Sequence, residues 1–400
     1  MDVFFADWVS LLLRWFHVIA GIAWIGASFY FIWLDNHLTD PPQWKKDKGI
    51  GGDLWAIHGG GFYEVAKYKV GPTEMPKELH WFKWEAYTTW ITGMLLLTWV
   101  YYFGAQAYLI DPGVRELSTG AAVGLGLLYT AIGWLIYEGL CRTPLVEHKA
   151  FGAVLFILGT GMAWLMTETF SGRGAYIHMG ALIGTIMAAN VFVKIIPGQK
   201  KMVAAVARGE QPDSKPGLVG KQRSVHNNYL TLPVIFIMIS NHYPMTYQHS
   251  LNWLILMALI LITVVVRHYF NLAHRGIRKP LILVVASLAF VAVAGALSWP
   301  GTPQKTTVDS SDNGAPVLSD EQGLALIMEK CGTCHSREPS DSMFPTAPSG
   351  VVFSNLDDVE RWASRIHART VVTRDMPFMN RTEITDEQRQ ALGDWLNSRF

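Results

Sequence analysis

Residues 331–335 read CGTCH, the stretch of this chain whose residue types and spacing prescribe the most definite chemistry. Two cysteines separated by two residues can each form a thioether to one vinyl group of a haem, and the histidine that follows can coordinate the iron from the same face. Cys331 and Cys334 are thus expected to attach a haem c covalently, with His335 as an axial ligand of its iron. A zinc or thiol–disulfide CxxC has the same cysteine spacing, so the surroundings must separate the readings. LSDEQGLALIMEK ahead of the motif has helical periodicity. RDMPFMN lies well downstream in a loop, and TDEQRQALGDWLNSRF closes the chain with a second amphipathic run.

Helix, CxxCH, long loop, Met-Pro and closing helix over residues 316–400 together resemble a class I cytochrome c. In that frame Met376, ahead of Pro377, supplies the second axial ligand, and Met379 is the alternative thioether. His367, in RWASRIHART, reads as a histidine on a helix face.

The elements that must carry this tail are membrane-like. Half of the residues are hydrophobic, 16% are charged, mean hydropathy is +0.21 and there are 16 Trp, which suits aromatic belts at the headgroup level. A membrane span needs about 20 apolar residues. Candidate spans lie at 11–34, 87–104, 118–138, 150–167, 175–194, 229–241, 251–267 and 281–299, the sixth short and carrying Pro233. The expected fold is all-α: a polytopic bundle of about eight transmembrane helices over residues 1–300, a linker over 301–315, and a small cytochrome c domain over 316–400. The linker region, WPGTPQKTTVDSSDNGAP, is polar and aperiodic, as a flexible tether should be. Beyond the haem cysteines only Cys141 remains, so no structural disulfide is expected. A net charge of +1 without a basic, aromatic-interleaved surface gives no sign of nucleic-acid binding.

Orientation follows from two independent rules. Haem c is attached outside the cytoplasm, which puts the tail in the periplasm of a bacterium and, with eight spans, the N-terminus there too. The inner loops then hold 20 Lys and Arg, whereas the outer loops hold only Arg115 and Arg173. That is the positive-inside pattern of an inner-membrane protein. MDVFFADW has no basic region ahead of the first apolar run, so that run is expected to be its own, uncleaved insertion signal.

Two spans share a pattern. Aligning His17 with His178 also matches Ala20 with Ala181, Ala27 with Ala188 and Phe31 with Phe192. A 4+4 parallel repeat about an axis along the membrane normal would bring the two histidines together near the outer face. Two opposed imidazoles can hold a b-type haem, with Arg14 and Arg173 placed to neutralise its propionates. Ordinary hydrogen-bonded interior histidines are the alternative.

The inner side gathers other polar groups. The loop GDLWAIHGGGFYEVAKYK carries His58, and HWFKWEAYTTW carries His80 and Glu85. Arg142, His148, His226, Asn227, Asn228, Arg267, His268 and His274 fall on the same side. Neither a Walker A pattern nor a GxGxxG between strand and helix is present, so nucleotide binding is unsupported. Interfacial anchoring accounts for any one of these residues; as a cluster they mark the face for substrate entry.

LWAIHGGGFYEVAKYKV, LHWFKWEAYTTW, the HVIAGIAWIGASFY span and the terminal CGTCH together resemble the bacterial membrane-bound urate oxidases, or urate hydroxylases, over essentially the whole chain. The resemblance implies oxidation of urate to 5-hydroxyisourate in purine breakdown. It also implies electrons leaving through the fused cytochrome towards the respiratory chain or a cytochrome c oxidase, without peroxide. It assigns no urate-contacting residue, so His58, Glu85, Arg142, His226, Asn228 and Arg267 stay the catalytic candidates. A haem electron-relay subunit, a terminal oxidase and a transporter are the competing classes; the histidine set of a haem–copper centre is not evident.

Overall fold

Long apolar runs with few charges make helices whose flanks need no water, and such helices dominate the first 298 residues. The structure, a computed structural model, describes residues 3–111, 114–298, 318–341, 344, 347, 348, 351–372, 374 and 376–400. It forms two units, Asp7–Asn241 with Trp253–Trp299, and Met1–Ala6 with His242–Asn252 and Pro300–Phe400.

In chain order the helices of the first 298 residues are α1 (Val3–His37), α2 (Trp84–Leu96), α3 (Thr119–Leu140), α4 (Phe151–Thr167), α5 (Gly172–Ala189), α6 (Lys215–Ser240), α7 (Asn252–His274) and α8 (Leu281–Ser298). Ser118 and Ser171 cap α3 and α5, each hydroxyl accepting from a backbone N–H three residues on. Among the described residues, four segments are long and apolar enough to cross a membrane: Trp8–His37, Thr119–Leu140, Gly172–Ala207 and Asn252–His274. Phe151–Thr167 and Leu281–Leu297 are apolar but shorter. The central helix is α5, which packs against α2, α3, α4 and α6.

Two helices of the first 298 residues change winding. The helix α2 continues as a π-helical stretch over Leu97–Tyr102, and α5 continues through another over Asn190–Ile195 into Ile196–Ala207. Such stretches re-aim side chains by opening the hydrogen-bond ladder and recur at functional positions.

The all-α expectation needs one correction. The glycine-rich loop at 52–69 is instead an antiparallel hairpin, β1 (Ile50–His58) with β2 (Gly61–Tyr68), in which His58 pairs with Gly61. Gly59 and Gly60 have φ of 56° and 81°, as a tight two-residue turn with left-handed positions requires. Buried Lys45 pins the hairpin: it donates to Asp53 of β1 at 2.6 Å and to Glu64 of β2. Burial lowers the lysine pKa, but the two carboxylates more than offset this and leave it raised.

In the C-terminal unit α9 (Asp320–Lys330), α10 (Leu356–Ile366) and α11 (Asp386–Arg399) surround a core of Ile327, Phe353, Val359, Leu392 and Trp395. Full burial of each apolar side chain contributes roughly 2 kcal/mol. Reciprocal capping boxes start α9, through Ser319 and Gln322, and α11, through Thr385 and Gln388. The crossing of α9 and α11 is close. A Cβ at Gly323 would lie 2.4 Å from the Trp395 ring. The expected linker at 301–315 lies outside the described residues.

Candidate functional site

At one end of the bundle, polar side chains interrupt the apolar helices. Glu138, the only acid in α3, accepts from Arg223 Nη2 of α6 at 2.8 Å, and Arg223 is 2% exposed. Lys194, on the π-helical stretch, reaches the other Glu138 oxygen at 2.7 Å, and Arg142 reaches it at 3.0 Å. Arg223 Nη1 donates to Asn190 Oδ1 at 3.2 Å, and its guanidinium lies 5.1 Å from the centre of the Tyr137 ring. Asn190 Nδ2 donates to the Tyr137 hydroxyl and to Asn227 Oδ1, both at 2.9 Å. That hydroxyl in turn shares a hydrogen bond of 2.8 Å with His226 Nδ1, and the imidazole stacks on Phe151. One network therefore ties α3, α5 and α6 together. Its buried pair, Glu138 with Arg223, is charge-neutral.

The neighbouring face of α6 carries a different arrangement. Arg267 of α7 is 5% exposed and its Nε donates to Asn228 Oδ1 at 2.9 Å. Its guanidinium lies 4.0 Å from the centre of the Phe29 ring of α1. Arg267 Nη2 and Asn228 Nδ2 are buried without a hydrogen-bond partner among the described residues. Tyr229 and His268 bond to each other nearby at 2.8 Å.

The sequence candidates divide accordingly. Asn228 and Arg267 meet; His226 and Arg142 join the Glu138 network, Arg142 from a position 69% exposed. Glu85 sits in the first turn of α2 with one oxygen buried and unpartnered among the described residues. His58 stands exposed at the hairpin tip, away from either arrangement. Glu138, Arg223, Asn190 and Tyr137 escaped the sequence reading. An acid ending an otherwise uncharged run, as Glu138 does, is the signal that marks it, because a charge there needs a partner.

His17 and His178 are held by different neighbours. His17 Nδ1 bonds to Thr92 of α2 at 3.0 Å. His178 is fully buried, its Nδ1–H donating to the Gly174 carbonyl at 2.8 Å, with the Phe170 ring 4.9 Å away. No hydrogen bond or ring contact joins the two histidines among the described residues. Nε2 of His178 has no partner there, which suits a ligand atom, but it faces Gly126 so closely that a Cβ would lie 2.5 Å from it. Gly126, having no side chain, is what lets α3 pass beside this imidazole. Arg14 bonds to Ser10 on its own helix, and Arg173 to the Tyr101 hydroxyl.

In the C-terminal unit, Cys331, Cys334 and His335 share one helical turn after α9. His335 Nδ1 lies 2.9 Å from the Val351 carbonyl, which can only accept. The proton is therefore on Nδ1, leaving Nε2 free to coordinate a metal. Burial pushes the Cys331 thiol up to about 12, so it is neutral at physiological pH. The loop of Met376 is tied to α11 by buried Arg389, whose Nη1 donates to the Thr370 and Met376 carbonyls, each at 2.6 Å, and whose Nη2 donates to Asn380 at 3.1 Å. The side chain of Met379 lies outside the described residues. His367 bonds to Asn397 across to α11, as a helix-face histidine does. These residues fit a covalent haem c on Cys331, Cys334 and His335.

A family model described as urate oxidase N-terminal matches residues 3–298. The chain belongs to that family. No curated protein and no solved structure matches it. The matched urate oxidase region takes in both polar arrangements and ends before the tail unit that carries CGTCH.

Proposed function

We propose that the chain is a membrane-bound oxidoreductase of the bacterial inner membrane. It oxidises urate to 5-hydroxyisourate and passes the electrons through its own cytochrome c domain to the respiratory chain. The observation that carries this reading is the urate oxidase N-terminal match over residues 3–298, joined in one chain to a CxxCH turn. The reaction balances with water: urate and H2O give 5-hydroxyisourate, two protons and two electrons. A two-electron substrate thus needs an acceptor, and a haem c on Cys331, Cys334 and His335 supplies one-electron carriage. His335 is held by Val351, and Arg389 sets the loop of Met376, the proposed second ligand.

The close crossing of α9 and α11 at Gly323 and Trp395 supports a class I cytochrome c for this unit, with 301–315 as its tether. Each of the eight apolar segments of the sequence falls on a helix, which supports eight crossings with both the N-terminus and the tail in the periplasm. The polar end of the bundle is then cytoplasmic, where urate enters.

The test is turnover by the purified full chain under anaerobic conditions with a soluble cytochrome c as acceptor. Loss of urate absorbance should accompany reduction of two acceptor haems per urate. Haem spectra without turnover would instead make the chain an electron-relay subunit, and stoichiometric peroxide in air would make oxygen the acceptor.

A further inference from the structure

We propose that Arg267 and Asn228 form the recognition site for the planar purine anion, with the ring of Phe29 as its aromatic wall; this rests on the urate reading above. Arginine cannot lose its proton in a protein, so Arg267 carries a full charge at 5% exposure. No carboxylate pairs with it among the described residues. Arg223, at similar burial, is neutralised by Glu138 at 2.8 Å. An uncompensated buried charge is strongly unfavourable, and a negative ligand removes that penalty.

The free atoms specify the ligand further. Because Arg267 can only donate, the atom it meets on Asn228 must be Oδ1, which fixes the amide and leaves Nδ2 as the free atom. Arg267 Nη2 and Asn228 Nδ2 are then two buried donors without acceptors among the described residues. Asn228 is 1% exposed, so solvent does not satisfy it. Two donors and one positive charge call for a ligand with adjacent acceptors and negative charge. The guanidinium carbon over Phe29, 4.0 Å from the ring centre, puts an aromatic wall beside the free donors, which favours a flat ligand. A urate anion presents carbonyl oxygens and a deprotonated ring on a planar frame. A neutral purine lacks the charge, and a cation is repelled.

Equilibrium dialysis of radiolabelled urate against the full chain in detergent tests this, with hypoxanthine as the uncharged planar probe. Arg267→Gln removes a charge-assisted hydrogen bond, so urate binding should weaken by about ten- to a hundredfold, while the weaker hypoxanthine binding changes by less than about threefold. Asn228→Asp is isosteric. It replaces the free donor by a carboxylate that neutralises Arg267, so urate binding should fall at least as far. Its unfolding midpoint should stay at or above that of the parent protein, which separates loss of recognition from loss of fold. Parent-like urate affinity in Asn228→Asp, or equal losses for urate and hypoxanthine in Arg267→Gln, would overturn the assignment while leaving the urate reading standing. If the parent protein binds no urate, the reading itself fails and this site falls with it.

Discussion

Removing the Glu138 carboxylate should be among the most damaging single changes in the membrane unit. In Glu138→Ala the Arg223 guanidinium keeps its Asn190 bond but loses its only ion-pair partner among the described residues while 2% exposed. Stripping one member from a buried ion pair costs about 3–5 kcal/mol. The contacts from Arg142 and Lys194 add at most about 1 kcal/mol each, since both chains reach solvent and can hydrate their charges. The double change Glu138→Leu with Arg223→Met removes both charges at similar volume, and such replacements of buried pairs are near neutral or stabilising. It should therefore unfold close to the parent protein, and the cycle of singles and double should show a coupling of about 3 kcal/mol. Denaturant unfolding in detergent, followed by tryptophan fluorescence, measures each corner. A Glu138→Ala loss below about 1 kcal/mol, or a double variant as unstable as the two singles summed, would refute the neutral-pair argument. Urate binding should survive in the double variant, because Arg267 and Asn228 are untouched.

Three further outcomes are expected. Gly323→Ala places a methyl 2.4 Å from the Trp395 ring, so calorimetry of the full chain should show the C-terminal unit destabilised by about 1–3 kcal/mol or more, with Gly323→Ser no better. Met376→Ala should remove the weak far-red sulfur-to-iron band of the ferric haem and lower its reduction potential. Arg389→Ala, which frees the Thr370 and Met376 carbonyls, should weaken that band with Arg389→Lys recovering part of it, and retention of the band in Met376→Ala would point to Met379. His178 Nε2 is buried without a partner among the described residues, so a haem b held there should appear by pyridine haemochrome analysis of the acid-acetone extract and be lost in His178→Ala; an extract without haem would leave the histidine structural.

What could be read from the sequence tracks how local each cause is. CGTCH is a contiguous motif, and the helical runs expected before it and at the end of the chain fall on Asp320–Lys330 and Asp386–Arg399, so the helices of the tail were legible from local pattern. Long apolar runs likewise placed the helices. The hairpin at 50–68 was not legible, because Trp55, Ile57, Phe62 and Tyr63 put exposed aromatic and aliphatic groups on both strands and hid the alternation that marks a half-buried strand. Equivalence of His17 and His178 in an alignment also failed to imply equivalent surroundings. Burial is 11% for the first span's window and 56% for the Gly172–Ala207 window, so the two histidines meet different helices.

The site itself turns on pairings between residues far apart in the chain. Glu138 and Arg223 are 85 positions apart, and Asn228 and Arg267 are 39 apart. No periodicity relates either pair. Read along the chain, Arg223 and Arg267 are indistinguishable: each is a basic residue at the end of an apolar segment, on the side where the positive-inside rule expects basic residues. Folding separates them, because α3 delivers a carboxylate to one and nothing delivers a carboxylate to the other among the described residues. Asn228, beside Arg267, can satisfy one guanidinium N–H but carries no charge to cancel. A buried charge with a partner is accounted for by stability. A buried charge with only a neutral amide and an aromatic ring is accounted for by a ligand that brings the missing negative charge, and that difference makes Arg267 the functional arginine of the pair.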